Sequence, residues 1–268
     1  MENLKISLFQ GYLFWENIDK NLQNIGLRLS GGIREKTDLI ILPEMFSTGF
    51  TMNAANLAEP MNGKTMHWMH KIAQQFDCVV TGSIIISEEG KCYNRLIWMR
   101  ADGSYNFYDK RHLFTLAKEQ DTYTAGKKKL IVDLKGWKVC PVVCYDLRFP
   151  VWLRNVNAAY DLLIVVANWP EKRALHWRTL LPARAVENQS YVIGLNRVGH
   201  DGNEVYHSGD STCISPYGNV IYYKRDEEDV YTFTITADEL EKTRRTLPFL
   251  KDADTFTIKD PNTAPAGI

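Results

Sequence analysis

Val139-Cys140-Pro141-Val142-Val143-Cys144-Tyr145-Asp146-Leu147-Arg148-Phe149-Pro150 opens as an apolar run and passes, directly after Cys144, into charged and aromatic residues. Such a run reads as a buried strand with Cys144 at its C-terminal end, just before a turn. In α/β proteins that edge of the sheet is where ligands bind. A second fully apolar run, Leu162-Leu163-Ile164-Val165-Val166-Ala167, reads as a strand covered on both faces. The spacing predicts a short helix around residues 151–156 between the two.

The same alternation extends outward in both directions. Leu4-Lys5-Ile6-Ser7-Leu8 has the period of a half-buried strand, and Ile18, Leu22, Ile25 and Leu29 have helical spacing ended by Gly31-Gly32. Asp38-Leu39-Ile40-Ile41-Leu42-Pro43 is a strand that stops at Glu44. A helical stripe (Met66, Met69, Ala73, Phe76) leads into a strand over 79–86, and a turn at Glu88-Glu89-Gly90-Lys91 joins it to another over 93–99. A helix over much of 172–188, bent near Pro182, strands at 191–195 and 231–235, and a last helix over 237–245 complete the pattern. Strands and helices alternate without a linker-like stretch, so residues 1–258 are expected to form one α/β domain, with 259–268 a loose tail.

Composition narrows the function. Of 268 residues, 45% are hydrophobic, enough for a full core, and 32 basic residues balance 32 acidic ones. Without a basic excess, nucleic acid is not an expected partner. The N-terminus lacks the pattern of a signal peptide, and no run reaches the ~18 apolar residues that cross a bilayer, so neither export nor a membrane is expected. Five cysteines without disulfide-framework spacing fit a reduced, cytoplasmic protein. Gly63-Lys64-Thr65 ends like a phosphate-binding loop, but Ala58 stands where its first glycine belongs, and no GxGxxG follows a strand. His67 and His70 share a helix with no acidic or thiolate partner at metal spacing, so no metal is expected.

Three ionisable groups follow apolar or aromatic runs: Glu44, Lys110 and Cys144. Alone, each has a bland reading, since buried cysteines are commonly inert and charged strand ends are commonly solvated. As a set they are chemically coherent. A thiolate attacks, a neighbouring ammonium is expected to lower the thiol pKa towards neutrality, and a carboxylate carries protons to and from the reacting group. The Tyr145 amide can join the ammonium in holding an oxyanion. Sequence spacing does not show that the groups meet.

The segments Leu42-Pro43-Glu44-Met45-Phe46, Tyr108-Asp109-Lys110-Arg111-His112-Leu113-Phe114 and Cys144-Tyr145-Asp146-Leu147-Arg148-Phe149-Pro150 resemble, in order, the three motifs of the nitrilase, or carbon–nitrogen hydrolase, superfamily. Ala167-Asn168-Trp169-Pro170, His176-Trp177, Arg184-Ala185-Val186-Glu187-Asn188 and Gly209-Asp210-Ser211 extend the resemblance over nearly the whole chain. It implies a four-layer αββα sandwich, with Glu44 as general base, Lys110 as transition-state stabiliser, Cys144 as nucleophile and Glu119 as a second glutamate that positions Lys110 and the substrate. It implies no metal or organic cofactor, and a homodimer formed across the helices near 150–158 and 172–189. Trp152, Trp177 and Leu181 then lie either in that contact or in the core.

Cys-Tyr-Asp-Leu-Arg-Phe-Pro and Leu247-Pro248-Phe249-Leu250-Lys251-Asp252-Ala253-Asp254 look like the omega-amidase branch, which hydrolyses the terminal amide of small 2-oxo acids such as 2-oxoglutaramate and 2-oxosuccinamate. A substrate of that kind carries a carboxylate, and Arg148 is the candidate to bind it; the competing reading is an ion pair with Asp146 or a helix cap. Phe46, Tyr145 and Trp169 are the expected pocket walls. The competing functions are another small-amide hydrolase of the superfamily, such as an N-carbamoyl amino acid amidohydrolase or an aliphatic amidase, and a catalytically silent scaffold.

Overall fold

In the computed structural model, which describes residues 1–258, neighbouring side chains of one short strand serve two different cores. Leu39 and Ile41 join Ile6 and Leu8 in one, while Ile40 joins Phe9, Leu42 and Val80 in the other. Successive side chains of a strand point to opposite faces, so an unbroken Leu-Ile-Ile run demands cover on both.

The first sheet begins with β1 (Leu4–Gln10), β2 (Leu39–Ile41) and β3 (Val79–Glu88), which run parallel, and continues antiparallel through β4 (Lys91–Met99) and β5 (Tyr105–Asp109). Helices α1 (Ile18–Gly32) and α3 (Lys64–Phe76) cover its outer face with Leu22, Ile25, Leu29, Met66, Met69 and Ile72; the one-turn helix α2 (Ala54–Leu57) lies on the connection between β2 and α3. Asn17 caps α1 by accepting from the Lys20 amide at 3.0 Å.

The second sheet repeats the plan. β6 (Val132–Leu134) pairs antiparallel with β7 (Trp137–Val143), and β7, β8 (Leu162–Ala167) and β9 (Tyr191–Asn196) are parallel. Between them come α4 (Pro150–Leu153) and α5 (Ala174–Asn188), the latter with Pro182 inside it. β10 (Val198–His200), β11 (Tyr206–Ile214) and β12 (Val220–Arg225) extend this sheet antiparallel. β13 (Asp229–Ile235) returns to pair with β1, and α6 (Ala237–Thr246) follows. The inner faces of the two sheets meet in one apolar layer, and α5 covers the outer face of the second. The architecture is the four-layer αββα sandwich.

Trp152, Trp177 and Leu181 are buried, which places them in the core of this chain. The large apolar residues exposed on α4 and α5 are Val151, Leu175 and Val186, at 57%, 68% and 50%. Among the described residues no helix is long and apolar enough to cross a membrane. The expected tail at 259–268 lies outside the described residues.

Candidate active site

Glu44 follows β2, Lys110 follows β5, Cys144 follows β7 and Asn168 follows β8, so the sandwich gathers four strand ends at one place. Glu44 Oε1 accepts from Lys110 Nζ and from Asn94 Nδ2, each at 2.9 Å, and Oε2 accepts from the Asn168 amide at 2.8 Å. The Asn168 side-chain amide donates in turn to the Glu44 carbonyl. Lys110 Nζ also donates to both carboxylate oxygens of Glu119, at 3.0 and 2.9 Å. Glu44, Lys110 and Glu119 are almost wholly buried. The Cys144 thiol lies beside this cluster, within reach of the charges of Glu44 and Lys110.

Two residues here adopt the left-handed backbone, Met45 at φ +43° and Cys144 at φ +45°. For a non-glycine residue this is uncommon and recurs at functional sites. At Cys144 it also ends the strand alternation. Cys140 is fully buried in the core, whereas Cys144 packs against that core and also lines a cavity. Asp146 holds the turn: its carboxylate accepts from the amides of Val143 (3.1 Å) and His112 (3.0 Å) and from the Tyr108 hydroxyl (2.7 Å), with His112 Nδ1 at 2.7 Å. That cluster fastens the Cys144 turn to the segment that carries Lys110. It also uses up Asp146, and the considered ion pair with Arg148 does not form.

Glu119 sits in a single turn of 3₁₀ helix on the loop between β5 and β6, and far from being a solvated loop acid it is fully buried. Its Oε2 accepts from the Phe114 amide at 2.5 Å, and Tyr123 ties the loop to the connection between β2 and α2 through its hydroxyl, 2.6 Å from the Thr51 carbonyl. The loop closes at Gly126, whose amide donates to the Lys110 carbonyl at 2.9 Å. A Cβ at this position would lie 2.0 Å from the Asp109 carbonyl oxygen, so only glycine permits the return that keeps Glu119 against Lys110.

The electrostatics correct one expectation. The Cys144 thiol is not drawn down towards neutrality. Burial raises its pKa well above the ordinary value, and the adjacent Glu44 carboxylate raises it further, together outweighing the Lys110 ammonium. Burial opposes the charge on Lys110, but Glu119 and Glu44 prevail and raise its pKa. Glu119 is raised, first by burial, with Lys110 pulling the other way. Cys140 is pushed up to about 12, chiefly by burial, with Lys129 pulling the other way. The resting arrangement is thus a neutral thiol beside a carboxylate that can take its proton as it attacks, with an ammonium held by two glutamates.

These groups open into a cavity of about 850 Å³, whose wall includes Tyr145, Arg148 and Trp169. Arg148 lies over the Trp169 ring, 4.5 Å from its centroid, and both its terminal nitrogens are 3.1 Å from His176 Nδ1. Phe46 does not reach the cavity. It is fully buried among α1, α3 and the first sheet, its ring 5.7 Å from that of Trp68. Phe50, four residues on, lines the cavity instead, with Lys110 Nζ 5.2 Å from its ring centroid. Sequence reasoning missed Asn94 and gave Asn168 no role. Asn168, directly after the apolar run of β8, offered a signal in sequence, whereas Asn94, between Tyr93 and Arg95, offered none.

A profile of the family described as "Carbon-nitrogen hydrolase" matches residues 5–245. The omega-amidase YafV of Escherichia coli is 43% identical over 265 residues, covering 96% of this chain and 100% of that protein. A 2-oxoglutaramate amidase of Bacillus subtilis is 32% identical, over 80% of this chain and 84% of its own length. Among solved structures, a carbon–nitrogen hydrolase superfamily protein of Xanthomonas campestris with an arsenic adduct in its active site superposes with a TM-score of 0.94. It is 41% identical, and the match covers 97% of this chain and all of that one.

Proposed function

The chain belongs to the carbon–nitrogen hydrolase family, and from that premise we propose that it cleaves the terminal amide of small 2-oxo dicarboxylic acid monoamides, 2-oxoglutaramate and 2-oxosuccinamate, to the acid and ammonia. The observation that carries the reading is the Glu44–Lys110–Cys144 cluster, opening onto a cavity whose wall bears Arg148, which among the described residues has no carboxylate partner. In the cycle we propose, Cys144 Sγ attacks the amide carbon as its proton passes to Glu44. The oxyanion is held by Lys110 Nζ and the Tyr145 amide, which in the first turn after β7 has no intrahelical acceptor. Glu44 then gives the proton to the leaving nitrogen, ammonia departs and a thioester remains. Water, deprotonated by Glu44, attacks the thioester; collapse of the second tetrahedral adduct releases the acid and restores the thiol. Glu119 keeps Lys110 in place, Arg148 binds the substrate carboxylate, and Tyr145 and Trp169 wall the pocket.

The test is ammonia release from 2-oxoglutaramate, 2-oxosuccinamate, glutamine and N-carbamoyl amino acids at equal concentration. The two 2-oxo acid amides should be the best substrates. Preference for a carbamoyl compound would move the protein to another branch of the family.

We further propose that the chain is a cytoplasmic homodimer, paired through the exposed Val151, Leu175 and Val186 of α4 and α5. Light scattering should give about twice the 30.8 kDa chain mass, and a single-chain mass at micromolar concentration would remove the dimer.

A further inference from the structure

Arg148 is not the only guanidinium at the cavity. Arg173, in the 3₁₀ turn ahead of α5, lines the same space as Cys144 and lies with its guanidinium carbon 5.2 Å from the Phe114 ring centroid. Neither arginine has a carboxylate partner among the described residues. Of the acids on the cavity wall, none pairs with either arginine: Asp201 accepts from the amides of Asn203 and Val205, and Glu204 makes no ion pair with Arg148 or Arg173. Glu44 shares Lys110, Glu171 lies 3.7 Å from Arg225, and Glu16 accepts from the Thr51 hydroxyl and Asn53 Nδ2. Trp169 links the two cations, for its ring lies under Arg148 and its indole N–H donates to the Arg173 carbonyl at 2.8 Å.

We propose that Arg173 is a second arm of the substrate clamp, and that the Arg148–Arg173 pair selects a 2-oxo acid over the matching α-amino acid. The inference rests on the 2-oxo acid amide reading above. Two like charges are brought together here without a counter-ion. Burial, and then the charge of Arg173, lower the pKa of Arg148, so an anion between them relieves both. The free end of 2-oxoglutaramate carries a carboxylate and an adjacent ketone: three acceptor oxygens and no donor. Two guanidinia, which only donate, match that end, one taking the carboxylate and the other its second edge and the ketone. Glutamine replaces the ketone by an ammonium, a donor with the charge of its hosts. Arg173 would then attract one substrate and repel the other, which is how specificity is obtained without a tighter fit.

Arg173→Met and Arg173→Lys are to be compared with wild type on 2-oxoglutaramate, glutamine and the uncharged pentanamide. In Arg173→Met the ratio of kcat/KM for 2-oxoglutaramate to that for pentanamide should fall about tenfold or more, chiefly through KM, as expected for one charge-assisted contact. The ratio to glutamine should fall further, and Arg173→Lys should lie between. A parallel fall on all three amides would mark Arg173 as merely structural, and unchanged ratios would remove the clamp. Should wild type itself not favour 2-oxoglutaramate over pentanamide, the functional reading fails. The clamp is then read from inhibition of pentanamide hydrolysis by 2-oxoglutarate. An inhibition constant about tenfold weaker in Arg173→Met supports it, and an equal constant overturns it.

Discussion

Cys144→Ala is expected to lower kcat for amide hydrolysis by about 10⁵-fold or more, because removing the attacking atom leaves only binding and oxyanion stabilisation. Fold and stability should change little, since the side chain ends in a cavity. The raised thiol pKa makes this prediction sharper than the loss of activity alone. A thiol held neutral by burial and by Glu44 has little thiolate at neutral pH, and thiolate is the form that reacts with iodoacetamide. The rate of Cys144 alkylation should therefore keep rising as pH passes the ordinary cysteine range, and Glu44→Gln, by removing one of the charges that raises the pKa, should move the profile to lower pH. A plateau below pH 8 in wild type would show a thiolate preformed beside Lys110, and with it a different first step.

Lys110→Met should have the next largest effect, on stability as well as rate. The Lys110 ammonium makes three hydrogen bonds to two buried carboxylates, and without it Glu44 and Glu119 face each other with only Asn94 between them. Stranding buried charge in this way costs about 3–5 kcal/mol, a fall in Tm on the order of 10 °C for a chain of this size. Turnover should drop by about 10²–10³-fold from loss of oxyanion stabilisation alone. The double variant Lys110→Met/Glu119→Gln separates the two roles, because it should recover part of the stability and none of the turnover. Recovery of both would make Lys110 a structural counter-ion only. The sign of the pH dependence follows from the raised Lys110 pKa. The stability that Lys110's own ionisation contributes is fully present below the unfolded-chain lysine value and is lost as pH climbs through the higher folded one.

The parts of the fold legible in sequence are those where burial and periodicity agree. β2 and β8 are unbroken apolar runs, and α1 and α3 carry stripes at helical spacing. β11 is the instructive failure. His207, Ser208, Asp210, Ser211 and Thr212 are all buried in it, so a core strand has the composition of a loop. Its polar groups are satisfied by contacts distant in sequence: the Ser211 amide donates to Gln10 Oε1 at 3.1 Å, and Trp177 Nε1 donates to the Asp210 carbonyl at 2.9 Å. β6 and β10, three residues each, are too short for alternation to register.

At the site, the family resemblance singled out Glu44, Lys110, Cys144 and Glu119, and these four lie together in the structure, a matter of position and not of role. The protonation of the thiol was not legible, because it depends on the balance between Glu44, Lys110 and burial, a matter of ångströms rather than of sequence order. Phe46 failed for a similar reason: the left-handed turn at Met45 sends its ring to the helix side, and Phe50 takes the wall.

The three hydrogen bonds on the Glu44 carboxylate span 50, 66 and 124 residues of chain. Asn94 lies in β4 and Lys110 directly after β5, both of the first sheet, while Asn168 directly follows β8 of the second, so neither half of the sandwich contains a complete site. The first half of the chain supplies the lysine and both glutamates, and the second supplies the cysteine and the amide that holds Glu44. The first sheet itself is closed only by β13, near the C-terminal end, so the constellation depends on both halves being folded together.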